Sequence, residues 1–318
     1  MRLLYVVARL TAFLPRRLQI ALSREPAVIV DRQQLDPQVQ LLRAFRRRRG
    51  VQYNLLEPTI TAGRKRYRAE ARIFNPRPTR VASVRDFELD GGLRVRHYRP
   101  DRADGGPLTV YFHGGGFVIG DLDTHDEPCR LLCRHSRAHV LSVDYRRAPE
   151  HPYPAANDDA LAAFRWARAN ARSLGADPGR VAVGGDSAGA YLAAAVAMAD
   201  TPFAQLLLYP PTGVDVDYPS RTLFDKGFFL SMADHAAFRA HYRPPPLTPT
   251  PAPALVVIAG FDILRDEAEA YARALPAAHI LRYPGLGHGF IHMSSVATTA
   301  RRAVREVGKE WGNLLACR

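Results

Sequence analysis

The chain has 318 residues, 47% of them hydrophobic, with 44 Lys and Arg against 31 Asp and Glu, a formal net charge of +13 and a pI near 10.1. This length and apolar content exclude a disordered or collagen-like chain and suit one sizeable core with a small cap. The basic balance raises nucleic acid or an anionic membrane as partners, but only Lys65, Lys226 and Lys309 are lysines and the arginines are spread throughout.

No zinc-finger spacing, RNA-binding aromatic motif or helix-turn-helix stands out, so the charge reads as a solvated surface without specific nucleic-acid binding. Weak peripheral attraction to anionic lipid is the residual partner that it allows. In residues 1–75, Leu3, Leu4, Val7, Leu10, Phe13 and Leu14 fall near helical spacing, with Arg2, Arg9, Arg16 and Arg17 among them. Arg9 interrupts that apolar run and no small-residue cleavage site follows cleanly, which argues against a secretory signal. No apolar run approaches a membrane span, and a cytoplasmic location is expected. Residues 1–75 read as a helical cap over the rest of the chain, completed by an insertion at 212–243. The competing reading is an amphipathic helix resting on a lipid surface. The densest basic runs are Arg46-Arg47-Arg48-Arg49 and Arg64-Lys65-Arg66-Tyr67-Arg68.

From Val81 onward, strand patterns alternate with helical ones, which predicts a mainly parallel, eight-stranded α/β sheet within a domain over 76–318. Strands 83–89 and 93–98 flank Asp90-Gly91-Gly92 and predict an edge hairpin. Further strands are expected near 108–112, 139–144, 180–184, 204–209, 254–259 and 279–283. Helices are expected near 123–136, 155–173, 188–199, 264–275 and 294–315, with Asp177-Pro178-Gly179 as a turn. Cys129 and Cys133 lie one helical turn apart and Cys317 lies near the terminus, which is no disulfide framework. With His125 and His135 nearby the spacing matches no usual zinc pattern, so buried small hydrophobes are expected and no metal or cofactor.

The chemistry concentrates at strand ends. Val181-Ala182-Val183, then Gly185-Asp186-Ser187-Ala188-Gly189, then an alanine-rich run read as strand, sharp turn and helix with a serine at the apex. A serine hydroxyl needs a base, a group that orients the base, and donors for the oxyanion. Leu255-Val256-Val257-Ile258-Ala259 leads into Asp262, and Ile280-Leu281-Arg282-Tyr283 leads into His288, giving the order serine, acid, histidine. Asp266 and Glu267 are alternative acids but fall within the following helix. Thr109-Val110-Tyr111-Phe112 ends in His113-Gly114-Gly115-Gly116-Phe117, whose glycines let backbone amides approach a substrate oxygen. The amide of Ala188 is the second expected source of donors. His113 reads as a support for its loop, and Asp186 as turned away from the base. Asp144, Glu150 and His151 read as a structural network. Phe117, Tyr145, Phe224, Phe228 and Phe229 are candidates for a pocket lining or for plain packing.

His113-Gly114-Gly115-Gly116-Phe117 together with Gly185-Asp186-Ser187-Ala188-Gly189 resembles the bacterial hormone-sensitive-lipase family of α/β-hydrolase esterases. The resemblance extends through Val143 to Pro152, Gln205 to Pro210, Arg265-Asp266-Glu267 and Tyr283-Pro284-Gly285. It runs from about Val81 to the C-terminus, and more loosely through Leu35-Asp36-Pro37. It implies a cofactor-free serine esterase acting on short- to medium-chain acyl esters through an acyl-enzyme. Ser187 would be the nucleophile, His288 the base, Asp262 its orienter, and Gly114, Gly115 and Ala188 the oxyanion donors. The expected partner is a small-molecule ester, and a homodimer is compatible with the sequence. The alternatives are amide, lactone or carbamate hydrolysis on the same triad, or a ligand-binding homologue without catalysis; the presence of His288 favours an enzyme. The chain departs from the family's pattern by short connections at 200–203 and 276–278, by a proline-rich connector over 244–253, and by Tyr191 where relatives tend to carry asparagine. The connection at 276–278 matters most, because the register of the last strand sets the acid–histidine geometry.

Overall fold

The computed structural model describes residues 11, 13–48, 55–75, 77–101 and 104–317. Part of the N-terminal helical reading (Leu3, Leu4, Val7, Leu10) and Arg49 lie outside the described residues. The N-terminal part holds helices α1 (Arg16–Ser23), α2 (Pro37–Arg48) and α3 (Ile60–Phe74), with a small ladder of β1 (Ile29–Val30) and β2 (Gln33–Gln34) between the first two.

The remaining strands form one eight-stranded sheet: β3 (Ser83–Glu88), β4 (Arg94–Arg99), β5 (Gly106–Phe112), β6 (His139–Val143), β7 (Ala176–Asp186), β8 (Gln205–Leu208), β9 (Ala254–Phe261) and β10 (Ala278–Gly287). Their spatial order is β10-β9-β8-β7-β5-β6-β4-β3. The run from β10 to β6 is parallel throughout, while β4 pairs antiparallel with both β6 and β3. Sequence explains the difference. The central strands β6 and β9 are buried at every position because helices cover both faces; β9 reads as an unbroken apolar run, and β6 carries His139 and Ser142 among its apolar residues. Edge strand β3 has no fully buried residue, and only Val84 and Phe87 are half-buried.

The covering helices are α4 (Asp126–Ser136), α5 (Ala155–Asn170), α6 (Ala188–Ala199), α9 (Arg265–Ala274) and α10 (Thr298–Ala316), while α7 (Pro219–Leu223) and α8 (Met232–His241) lie in the insertion. Helix α6 is apolar almost all round and correspondingly buried against the sheet. Helix α10 buries Ala300, Ala303, Val304, Val307, Trp311 and Leu315 along one face, and the Trp311 indole donates to Thr109 Oγ1 at 2.9 Å. No described helix is long and apolar enough to cross a membrane.

Of the boundaries that differ from expectation, three follow local structure. Helix α4 starts at Asp126 rather than 123 because Asp121 and Thr124 bond each other's backbone amides in a turn. Strand β7 begins at Ala176, so that Asp177-Pro178-Gly179 becomes an irregularity inside the strand, bridged by Asp177 to the Gly179 amide. The expected last helix is preceded by a 3₁₀ turn, Phe290–Met293, and starts at Thr298. The basic runs are largely engaged in internal contacts: Arg46 with Glu70, Arg47 with Glu25, Arg64 with Glu150 and Arg68 with Asp121. Cys129 and Cys133 are buried free thiols, and burial raises both above the ordinary thiol range, Cys133 to about 12.

Candidate active site

Four loops meet at the C-terminal edge of the sheet, where open parallel sheets place their chemistry. They follow β5, β7, β9 and β10. At the end of β7 the chain turns into α6 through Ser187, which is held at φ 52° and ψ −123°, a strained conformation for a residue with a side chain. The turn closes this tightly only because Gly189 has no Cβ, since one there would lie 1.9 Å from the Phe112 carbonyl oxygen.

Ser187, His288 and Asp262 come together. His288 Nε2 is 3.0 Å from Ser187 Oγ, and His288 Nδ1 is 2.7 Å from Asp262 Oδ2. The ionised Asp262 carboxylate only accepts, so Nδ1 carries the proton and Nε2 is free to accept from the serine hydroxyl. The other oxygen of Asp262 accepts from the Leu264 amide at 2.9 Å. The short connection at 276–278 leaves β10 in continuous register with β9 from Ala278↔Ala254 to Tyr283↔Ala259; the irregularity comes later, between Tyr283 and Gly287. It lets the chain turn Gly287 and His288 towards Ser187.

The alternative acids are engaged elsewhere. Glu267 accepts from the Thr212 amide and pairs with Arg221, and Asp266 accepts from the Ser220 amide and pairs with Arg265.

The glycine loop requires a correction. Gly114, read as an oxyanion donor, has its amide directed at Asp186 Oδ1, 3.0 Å away, beneath the loop. Gly115, Gly116 and Ala188 line the cavity beside Ser187, and their amides have no acceptor among the described residues. Gly115 and Gly116 have φ of +119° and +59°, which turns their amides differently from that of Gly114. Gly116, which the sequence reading left out, lines the cavity where Gly114 does not. The signal was the run of three glycines itself, which does not say which amide the neighbouring carboxylate occupies.

Asp186 turns away from His288, as its place in the elbow suggested. It accepts from Tyr111 Oη at 2.8 Å and from the Gly114 amide, with His125 Nε2 at 3.2 Å. Burial alone would raise its carboxyl, but the charge and hydrogen bond of His125, with His292 and Tyr111, hold it well below the usual range. His125, Asp186 and His292 bring ligand-capable atoms within 4.8 Å of one another, and Tyr67 Oη meets His292 Nε2 at 3.0 Å. Burial, followed by His125, pushes His292 down to about 3. His113 stacks on Tyr145 with centroids 4.2 Å apart, and its Nδ1 meets the Gly114 carbonyl at 2.8 Å, a support for the loop.

The cavity above Ser187 is walled from two sides. Leu42, Tyr67 and Phe74 come from the N-terminal helices, and Phe229, Phe238 and Tyr242 from the insertion at 212–243. Of the five aromatic candidates, Phe117 and Phe229 line it. Phe224 and Phe228 instead pack on Phe261, at centroid distances of 5.4 and 5.2 Å, and Tyr145 lies beneath His113. Tyr191 lines the cavity and donates to the Pro245 carbonyl at 2.6 Å, which ties the proline-rich connector down. Asp144, Glu150 and His151 lie apart from the triad; Asp144 faces Arg94 and Arg147, and Glu150 pairs with Arg64.

A family model described as alpha/beta hydrolase fold matches residues 109–292. The carboxylic ester hydrolase LipN of Mycobacterium tuberculosis is 42% identical over 321 aligned positions, covering 91% of this chain and 85% of that protein. An ethyl acetate hydrolase of Pseudomonas putida is 36% identical, covering 65% of this chain and 74% of its own. Among solved structures, an ester hydrolase from the metagenome of Lake Arreo, in complex with a bipyridine phosphonate derivative, superposes with a TM-score of 0.80 at 38% identity. That match covers 88% of this chain and 98% of that one.

Proposed function

From its place in the hormone-sensitive-lipase type of the α/β-hydrolase fold family, to which the chain belongs, we propose that this carboxylic ester hydrolase cleaves short- to medium-chain acyl esters through an acyl-enzyme on Ser187. The observation that carries the mechanism is the continuous hydrogen-bonded chain from Asp262 through His288 to Ser187, open to the cavity at the serine end.

Ser187 Oγ attacks the ester carbonyl carbon while its proton passes to His288 Nε2. Asp262 keeps Nδ1–H pointed at itself and stabilises the imidazolium that forms. The carbonyl oxygen becomes an oxyanion that accepts from the amides of Gly115, Gly116 and Ala188. These donors are fixed by the fold and cost no reorganisation as charge develops. Collapse breaks the ester C–O bond, and the alcohol leaves with the proton from Nε2. Water then attacks the acyl-enzyme, giving a proton to His288, and the carboxylic acid is released as the proton returns to Ser187 Oγ. Residues 1–75 and 212–243 act as the cap, whose apolar side chains hold the acyl and alcohol arms. We place this activity in the cytoplasm.

The test pairs covalent labelling with turnover. A fluorophosphonate should label the wild-type chain and neither Ser187→Ala nor His288→Ala. Hydrolysis of aryl esters should peak at short to medium acyl chains and fall by about 10⁴-fold or more in Ser187→Ala. Labelling retained in Ser187→Ala would remove the nucleophile assignment.

A further inference from the structure

Helix α8 lies over the glycine loop, and one of its faces closes the cavity. That face carries His235, Phe238, Arg239 and, at the cap, Tyr242, spaced at three and four residues. Phe238 sits so near Gly116 that a Cβ there would fall 2.2 Å from its ring, and Tyr242 stacks on Phe117 with centroids 4.4 Å apart. All four residues wall the space that contains Ser187 and His288.

Two members of this face are out of keeping with an apolar wall. Arg239 has no hydrogen-bond or ion-pair partner among the described residues, and His235 feels it only as a repelling charge. The other arginine that lines the cavity among the described residues, Arg46, is already paired with Glu70 at 3.2 Å. Among the described residues, the wall's carboxylates are Glu70 and Asp186. The first is engaged with Arg46 and the second is turned beneath the glycine loop. Burial, then Arg221, Arg239 and His288, lower His235 to about 4, so at neutral pH it offers an uncharged ring nitrogen beside a permanent cation. A substrate that fills the cavity strips water from that guanidinium, and only an anion on the substrate replaces the lost hydration in kind.

We infer that the cavity is built for esters that carry a carboxylate on one arm, with Arg239 as the anion-binding, specificity-determining residue and His235 as a neutral hydrogen-bonding neighbour. This rests on the hydrolase reading above. It narrows the substrate from any small ester to monoesters of dicarboxylic acids, or to esters of hydroxy acids, according to which arm reaches α8.

Two matched pairs distinguish the arms. Monoethyl adipate against ethyl hexanoate places the charge on the acyl side, and 5-acetoxypentanoate against pentyl acetate places it on the alcohol side. In at least one pair the wild-type chain should favour the charged ester in kcat/KM through a lower KM, and the preference should shrink as salt is added. Arg239→Gln should lower that charged-to-neutral ratio by about tenfold, and Arg239→Lys should recover part of it. Calorimetric titration with adipate reads the same site without turnover and should lose affinity in Arg239→Gln. Neutral esters favoured in both pairs, with adipate binding equal in wild type and Arg239→Gln, would overturn the inference and leave the hydrolase reading standing. If no ester is cleaved but adipate binds through Arg239, the hydrolase reading fails and the anion site stands.

Discussion

Asp262 and Asp186 are both buried, both stand at the C-terminal edge of the same parallel sheet, and both face a histidine. They differ in where the hydrogen-bonded chain leads. From Asp262 it passes through His288, whose side chain is 11% exposed, to a hydroxyl that faces the cavity. From Asp186 it passes to His125, fully buried, whose other ring nitrogen meets Thr124 Oγ1 at 2.9 Å. In the first chain Ser187 can give its proton to His288 Nε2, because that end meets substrate, while Asp262 holds Nδ1–H in place. The second has no such outlet, and its role is to hold the Gly114 amide and with it the shape of the glycine loop. The same residue pair thus supports either chemistry or geometry, and the difference lies in what the histidine's second nitrogen touches.

The largest effect should separate the two carboxylates directly. Asp262→Asn should lower kcat by about 10³–10⁴-fold, because the wrong tautomer of His288 is then favoured, with the urea midpoint little changed. Asp186→Asn should reverse that order of harm. It removes an acceptor from a buried cluster and should cost about 1–3 kcal/mol of stability, with a smaller loss of kcat than Asp262→Asn. Kinetics and urea unfolding on both variants check this together. Equal losses of kcat with equal midpoints would end the division of labour.

Acid should expose the same contrast at intermediate size. His292, beside Asp186, and His113, beside His125, are lowered to about 3, chiefly by burial and then by His125, and burial with His139 lowers His97 to about 4. The unfolded chain protonates such histidines near their ordinary value, whereas the folded chain resists. The stability they contribute is therefore complete above about pH 6.5 and is lost as pH falls towards their folded values. Each adds a slope of up to about 1.4 kcal/mol per pH unit within that window. Urea midpoints should fall between about pH 7.5 and about pH 5. His292→Gln, which keeps a partner for Tyr67, should flatten that fall by one such contribution. A flat profile in the wild type would show that these histidines are not held neutral.

Legibility in the sequence follows the same divide. The sheet was readable because β9 is a continuous apolar run, β6 is mostly apolar, and 83–98 is a hairpin pattern with its own turn residues. Ser187, Asp262 and His288 were readable because each follows a strand, and strand ends are what a pattern locates. That the Gly114 amide is taken up by Asp186 was not readable, because it depends on a contact across the fold, 72 residues away. The clustering of Tyr67, His125 and His292 around that carboxylate was equally illegible, since three separate segments supply them. The same holds for Arg239, whose helix could be anticipated as part of a cap but not the face that it turns to the cavity.

The smallest effect tests whether Asp186 is purely a structural anchor. Tyr111 donates one of the hydrogen bonds that the carboxylate receives, while the Gly114 amide shares the same oxygen. Tyr111→Phe removes the donor and leaves no orphaned group of its own, and Asp186 keeps its contacts to Gly114 and His125. The cost should be about 1 kcal/mol, read as a Tm lower by about 2 °C. The loop amide stays held, so kcat on an aryl ester should change by less than about threefold, well below the cost of losing an oxyanion donor. A tenfold loss of kcat with an unchanged Tm would mean that the charge on Asp186 reaches the oxyanion through the loop. The carboxylate would then belong with Asp262 in the chemistry rather than beneath it.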